Sequence, residues 1–553
     1  MGLWGRPVRK ILQTLALGCA GLIGVGSPAV AAEYDYDVVI RNGRLLDGLG
    51  NPWVRASIAI KDGRIAAIGR CAGRARREID ARDRYVSPGW IDLMDQSGEV
   101  LPRNGLAENK LLQGVTTAIA GEGGTPVPAE KIDAYFRDLQ ASGISLNFGT
   151  YYSSAQARVA VIGDGAGAPT PAQLEKMKEL VATAMRAGAV GIATALIYPP
   201  DSFQSTQDLV ELAKVAAQYN GIYASHMRDE SALLLSAIEE SIQIGEQAGI
   251  QVEVFHFKGA YQPGWGKLVP QAIALIDGAR ARGVNIGADM YLYAAGGTGL
   301  DITVPNWVWE RGAERGLKQL RSPRIRERLK REVQAGSQPG WSNLVHASGG
   351  WDHVVLANAF NERYDAYRYN SIAYIGQQLG RDPADVAWDI LVDAAPKRAM
   401  ALFFMMSEDD IETALKAPWM GIGSDAAATE RLGEMDALGL PHPRSYGNFP
   451  RLIAEYVRKR KVLTLEDAVR KLSSLPATRM HLFDRGALRE GLWADLTIFD
   501  LGRIQDNATY ENPVAVPVGV DYVLVNGQIV VDEGQHTGAK PGKVLRGSGY
   551  ASP

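Results

Sequence analysis

Between about residue 88 and residue 300 the chain alternates short apolar runs with longer stretches of helical character at a nearly fixed interval, and that repeat leaves few folds open. The runs fall near residues 90 (WIDLM), 116 (TTAIAG), 146 (LNFGTY), 190 (VGIATAL), 221 (GIYASH), 252 (VEVFH) and 285 (NIGADMY), with an eighth, MGIGSD, near 420. Strands that alternate with helices pair in parallel through crossover connections. Met94 to Glu122 spans 28 residues, His226 to His256 spans 30 and His256 to Asp289 spans 33. A (β/α)8 barrel of ~250 residues spends ~31 per unit. The reading is therefore an α/β chain in which residues 88–484 form a (β/α)8 TIM-like barrel. Tyr291 and Asp425 lie 134 residues apart, and against one unit of ~31 this leaves roughly 100 residues to insert before the eighth strand. That insertion, at about 296–418, is placed to cover the barrel mouth as a lid.

The two ends have a different texture. From Tyr36 to about Val86 apolar and polar residues alternate, with Asn42-Gly43 and Asp62-Gly63 as hairpin turns. The segments ADLTIFDL and DYVLVNGQIVVDEG repeat that texture near the C-terminus. Two half-sheets at opposite ends close most simply on each other. Residues 33–87 and 485–553 are thus expected to make one small β-sandwich into which the barrel is inserted. Residues 1–32 combine Arg6, Arg9 and Lys10 with a 16-residue apolar run from Ile11 to Gly26 and the small-residue ending SPAVAA. This is the pattern of a secretory signal cleaved near Ala31 or Ala32, and it places the mature chain in the periplasm. The run is short of the ~20 residues of a spanning helix, so no stable membrane span is expected after cleavage.

Composition narrows the function classes. With 46% hydrophobic and 22% charged residues over 553 positions, the chain is globular and not disordered. Its formal net charge is −3, and a leader with three cations and no acid takes the mature chain to −6, which argues against nucleic acid as a partner. Of two cysteines, Cys19 lies in the leader, leaving Cys71 and excluding a disulfide framework. A homo-oligomer stays open.

Barrel enzymes carry their chemistry at the C-terminal ends of the strands. Four polar residues end apolar runs there: Glu122 (AIAGEGG), His226 (IYASHMRDE), His256 (VEVFHFKGA) and Asp425 (GIGSDAA). Two histidines on neighbouring strand ends, in a chain with only seven, project into one site. With a carboxylate they make a zinc set that keeps one position open for water, and Asp425 can then serve as base.

These motifs, with PGWID, GVTT, SHMRDE, FHFK, GSD and the segment HPRSYGNFPRLIAEYV through LWADLTIFD, resemble the amidohydrolase superfamily, and within it the N-acyl-D-amino acid deacylases, or D-aminoacylases. The resemblance runs from about Tyr36 to the C-terminus and implies metal-dependent hydrolysis of the amide bond of an N-acyl amino acid. It implies that His226 and His256 bind the metal and that Asp425 takes a proton from water and delivers it to the leaving amine. It also implies that Lys258, Tyr291 and Arg444 hold the carboxylate of a small-molecule substrate, a task suited to cationic and phenolic donors.

The sequence also departs from that pattern. Where the first strand of the superfamily ends in His-x-His, SPGWIDLMDQSG has Met94 and Gln96, and where the family has a cysteine after the second strand this chain has Gly123. A thioether and a neutral amide are poor zinc ligands, so the usual two-metal centre is not expected. Two readings follow. By analogy with one-metal N-acetylglucosamine-6-phosphate deacetylases, Glu122, His226 and His256 hold a single Zn2+; strict strand alternation would turn Glu122 away, but the glycine-rich GEGG turn relaxes it. Alternatively the site has decayed, and the protein binds acyl amino acids or peptides without cleaving them. His346 and His353 fall within the insertion, where a lid histidine can polarise a carbonyl but more often is structural. His442 is read as shaping the pocket rim, Arg228 and Glu230 as supports close to a ligand, and GDGAGAP at 163–169 as a surface connection and not a phosphate loop.

Overall fold

The computed structural model describes residues 34–551 except 339, 435–438, 440 and 441; the leader read in residues 1–32 lies outside the described residues. Eight parallel strands surround the centre. Trp90–Asp95, Val115–Ala120 and Asn147–Thr150 pair in order. Tyr152–Ser153 continues the third strand and leads through Gly191–Ala195, Ile222–His226, Gln251–Val254 and Ile286–Met290 to Met420–Ile422. Asp425 N donates to Met94 O at 2.9 Å and Gln96 N to Ala426 O at 3.1 Å, which closes the eighth strand on the first. Val115–Ala120 and Ile286–Met290 are buried throughout, because barrel strands are covered on both faces. The outer helices begin where the sequence supplies caps. Ser153 and Thr170 make capping boxes for Ser154–Ile162 and Pro171–Ala187, and Ser205 caps Thr206–Gln218.

A fully buried cation reinforces the seam. Lys110 Nζ lies 2.9 Å from Asp92 and 2.8 Å from Asp95, and donates to Ser424 Oγ at 2.7 Å and Ala426 O at 2.6 Å. Isolated burial of either carboxylate would be costly, and the shared ammonium with its hydrogen bonds offsets it. The cross-link fixes the two chain segments that carry Gln96 and Asp425.

The chain ends build one nine-stranded sheet in which Tyr85–Pro88 pairs antiparallel with Leu496–Phe499. The two halves therefore join edge to edge, where the sequence pattern suggested two half-sheets facing each other. Pairing removes an exposed edge from each half. The sheet curls over a core that Val38, Ile58, Ile60, Leu496, Ile498 and Leu524 share, and Ile65 N donates to Leu492 O across the fold.

The inserted stretch contains a three-stranded antiparallel sheet, Ala295–Gly299, Met400–Phe404 and Val354–Asn358 in that spatial order. Leu356, Trp388 and Phe403 belong to its own core. Among the described residues no helix is long and apolar enough to cross a membrane.

Candidate active site

Glu122 follows the second barrel strand, His226 ends the fifth, His256 follows the sixth and Asp425 follows the eighth. His256 at φ +33° and Asp425 at φ +48° both occupy the left-handed region. Such conformations are unfavourable for residues with a Cβ and persist where surrounding structure imposes them, often at functional turns. His256 is fixed by its backbone N–H, which donates to buried Asp289 Oδ1 at 2.9 Å.

Glu122 turns inward. Its Oε2 lies 2.6 Å from His226 Nδ1 and 3.3 Å from His256 Nε2, with the imidazole centroids 4.3 Å apart. One ligand atom from each of Glu122, His226 and His256 fits within 4.8 Å. The outer nitrogens face a second carboxylate: Glu230 Oε1 is 2.8 Å from His256 Nδ1, and Glu230 Oε2 is 3.5 Å from His226 Nε2. Lys258 Nζ donates to Glu230 Oε1 at 2.6 Å and to the carbonyl of His256 at 2.9 Å.

The electrostatics favour positive charge at this centre. Burial would raise the Glu122 carboxyl, but the charges and hydrogen bonds of His226 and His256 hold it well below the usual carboxylate range. Burial and Lys258 would lower His256, yet Glu230 and Glu122 push it up to about 10. Burial likewise opposes ionisation of Glu230, which Lys258 and the two histidines overcome. Two carboxylates, one ammonium and two imidazoles leave a net negative site when the imidazoles are neutral. The buried His226 Nε2 also has no hydrogen-bond partner. A divalent cation suits this donor set in charge and ligand type: Glu122, His226 Nδ1 and His256 Nε2 face one point, and the Glu230 carboxylate lies on the outer side of both rings.

A second cluster faces the first. Arg444 Nη2 is 2.9 Å from Asp425 Oδ2, and Gln96 Nε2 donates to Asp425 Oδ1 at 3.4 Å. The Arg444 guanidinium stands 4.7 Å over the Tyr291 ring, and Lys258 Nζ 5.6 Å from it. The structure thus brings Lys258 and Arg444 together around the Tyr291 ring, with Lys258 also committed to Glu230. His442 is buried and orients the arginine: its Nε2 lies 3.0 Å from Ala295 O, and its Nδ1 accepts from the Arg444 N–H at 3.0 Å. Burial and the neighbouring Arg444 charge hold His442 well below its ordinary value, keeping it neutral.

Met94 is fully buried and shares a cluster with Ile119, Tyr151 and Phe255, so the first position of the missing His-x-His is apolar filling. Other residues singled out by sequence lie elsewhere. Arg228 pairs with Glu240 and donates to the carbonyls of Ser202 and Gln204. His346 packs 6.1 Å from Tyr261 and His353 ends a short 3-10 turn; neither joins the cluster. The 163–169 connection is held by Arg158, which donates to the carbonyls of Gly165 and Gly167. Sequence reasoning undervalued Glu230, whose signal is a carboxylate four residues beyond a strand-end histidine. It missed Tyr198, whose ring meets His226 edge-on at 5.1 Å.

The model of the amidohydrolase family matches residues 77–531. The chain is 31% identical to N-acyl-D-glutamate deacylase of Alcaligenes xylosoxydans xylosoxydans over 92% of its length and 96% of the relative's. It is 29% identical to D-aminoacylase of the same organism over 92% and 97%. The crystal structure of N-acyl-D-glutamate deacylase from Bordetella bronchiseptica, complexed with zinc and a phosphonate inhibitor that mimics the tetrahedral intermediate, superposes with a TM-score of 0.77 at 30% identity, covering 92% of this chain and 99% of that one.

Proposed function

Because this chain belongs to the amidohydrolase family, we propose that it releases the acyl group from an N-acyl amino acid, using one zinc ion held by Glu122, His226 and His256. It is a metal-dependent amidohydrolase acting on non-peptide amide bonds. The substrate class, its D configuration, the single ion and export to the periplasm belong to the proposal. The observation that carries it is the convergence of Glu122, His226 and His256 within 4.8 Å, opposite an aspartate held by an arginine.

Zinc bound there supplies an acidified water, its pKa lowered from 15.7 toward ~7, and polarises the amide carbonyl. Glu230 lies 2.8 Å from His256 Nδ1 and 3.5 Å from His226 Nε2, so its negative charge faces the outer edge of both rings and favours inward lone pairs. Asp425 receives the proton from water and passes it to the departing amine. Arg444 and Gln96 hold its two oxygens, which fixes the carboxylate plane. Tyr291, Lys258 and Arg444 receive the substrate carboxylate.

The test uses the mature chain loaded with zinc and a panel of N-acyl-D- and N-acyl-L-amino acids, scored by released amine. Asp425→Asn should retain its zinc and lose turnover by a factor of at least 100; full activity in that variant refutes the mechanism. The loss of His-x-His favours a second reading, a binding protein without catalysis. Purified chain that holds no zinc, and hydrolyses nothing with added Zn2+, Mn2+ or Co2+, would establish it.

A further inference from the structure

A cavity of about 540 Å3 opens directly beside Glu122 and Gly123. Its walls come from the segments after the second, third and fourth strands, and include Val127, Tyr152, Val159, Leu180 and Pro199. The cluster of Lys258, Tyr291 and Arg444 comes from the opposite arc, beyond the sixth, seventh and eighth strands. Charge is divided in the same way. Among the described residues Glu122, Glu130 and Asp201 line the cavity and no lysine, arginine or histidine does. Val159 is 45% exposed on a helix whose outer face is apolar.

From this division, and resting on the deacylase reading, we infer that the cavity is the acyl subsite and that the enzyme selects large, uncharged acyl groups, medium-chain or aryl, over acetyl. The amide is planar and trans, so the acyl substituent and the amino acid's Cα lie on opposite sides of the C–N bond. With the substrate carboxylate at Arg444 and the carbonyl over Glu122, His226 and His256, the acyl chain leaves toward Val127 and Val159. Hydrolysis adds the water oxygen to the acyl carbon, breaks the C–N bond and gives the amino acid and the fatty or aryl acid. A methyl group, about the size of a water at roughly 30 Å3, would fill under about a tenth of the space. A second cavity, of about 240 Å3, lies beyond Tyr198, Pro199 and Pro200; it carries Lys397 and Arg398 but none of the cluster residues. Tyr198 lines both, its hydroxyl tied to Thr298 Oγ1 at 2.7 Å.

The experiment compares N-acetyl, N-octanoyl, N-phenylacetyl and N-succinyl derivatives of one neutral amino acid, and N-acetyl derivatives of several amino acids. Each fully buried methylene is worth about fourfold. In this half-open cavity octanoyl should exceed acetyl in kcat/KM by at least tenfold, with anionic succinyl the poorest. Calorimetry of the zinc-loaded protein should show octanoate binding at least tenfold more tightly than acetate. Val159→Lys, at an exposed position, should raise the succinyl-to-octanoyl ratio by about tenfold or more. Acetyl cleaved as well as octanoyl, an unmoved ratio in Val159→Lys, or selectivity residing in the amino-acid side chain would each overturn the acyl-subsite inference while leaving the deacylase reading intact. Hydrolysis of no derivative at all would overturn both.

Discussion

Replacing Glu230 with glutamine tests the architecture of the metal centre without touching a proposed ligand. In the structure one carboxylate faces both outer imidazole nitrogens, at 2.8 and 3.5 Å, and a buried ammonium at 2.6 Å. All three neighbours are donors when zinc takes the inner nitrogens. An amide of the same shape offers one oxygen, and its NH2 must face at least one of those donors. The isosteric change also strips a negative charge from beside a dication. Loss of such outer partners weakens metal binding about 10–100-fold, or about 1.4–2.7 kcal/mol. The assay is competition for zinc against a calibrated chelator at fixed pH, alongside thermal melts of the metal-free protein. Glu122→Gln provides the scale, because removal of a ligand should cost more than removal of its support. Zinc affinity in Glu230→Gln within twofold of the parent would refute the argument, since the carboxylate would then play no part in orienting the histidines.

Three further outcomes follow from the geometry. Lys110→Met leaves Asp92 and Asp95 buried without their cation and should destabilise the chain by about 3–5 kcal/mol; a urea midpoint equal to the parent's would contradict that role. Burial pushes Asp201 up to about 6, so the folded state favours its neutral form. Its stabilising contribution is full below the ordinary carboxyl value and is lost as pH rises through about 6, by up to ~3 kcal/mol. The melting temperature of the parent should therefore fall relative to Asp201→Asn between pH 4 and 7, and parallel curves would refute the assignment. Met94→His with Gln96→His should still bind one zinc, because Gly123 supplies no third ligand; two zinc ions per chain by elemental analysis would show that the first strand end alone controls stoichiometry.

The barrel was legible because its cause is periodic. Each strand end that bears chemistry follows a run buried on both faces, and Glu122, His226, His256 and Asp425 could be located by that rule alone. The inward turn of Glu122 was harder, since strand alternation argued against it; the GEGG turn breaks the pleat, and the carboxylate reaches two histidines. Glu230 and Gln96 were beyond periodic reasoning because their importance lies in partners brought from other strands, His256 and Asp425. The edge-to-edge union of the terminal strands was equally illegible. Alternation reports which face of a strand is buried, but not which neighbour its backbone will bond.

The departures at the first strand acquire a common physical sense in this setting. A His-x-His pair would place an imidazole where Met94 now packs with Ile119 and Phe255, and a second cation beside Asp425. Gln96 replaces that charge with a neutral donor, while Arg444 supplies the remaining partner of the aspartate. Position 123, without a side chain, stands at the mouth of the 540 Å3 cavity, where a larger residue would take up space next to Glu122. Here the altered positions are an apolar residue in an apolar cluster, an amide on the aspartate and a glycine at an opening. These three substitutions fit the proposed single-ion centre, in which the first strand end supplies no ligand.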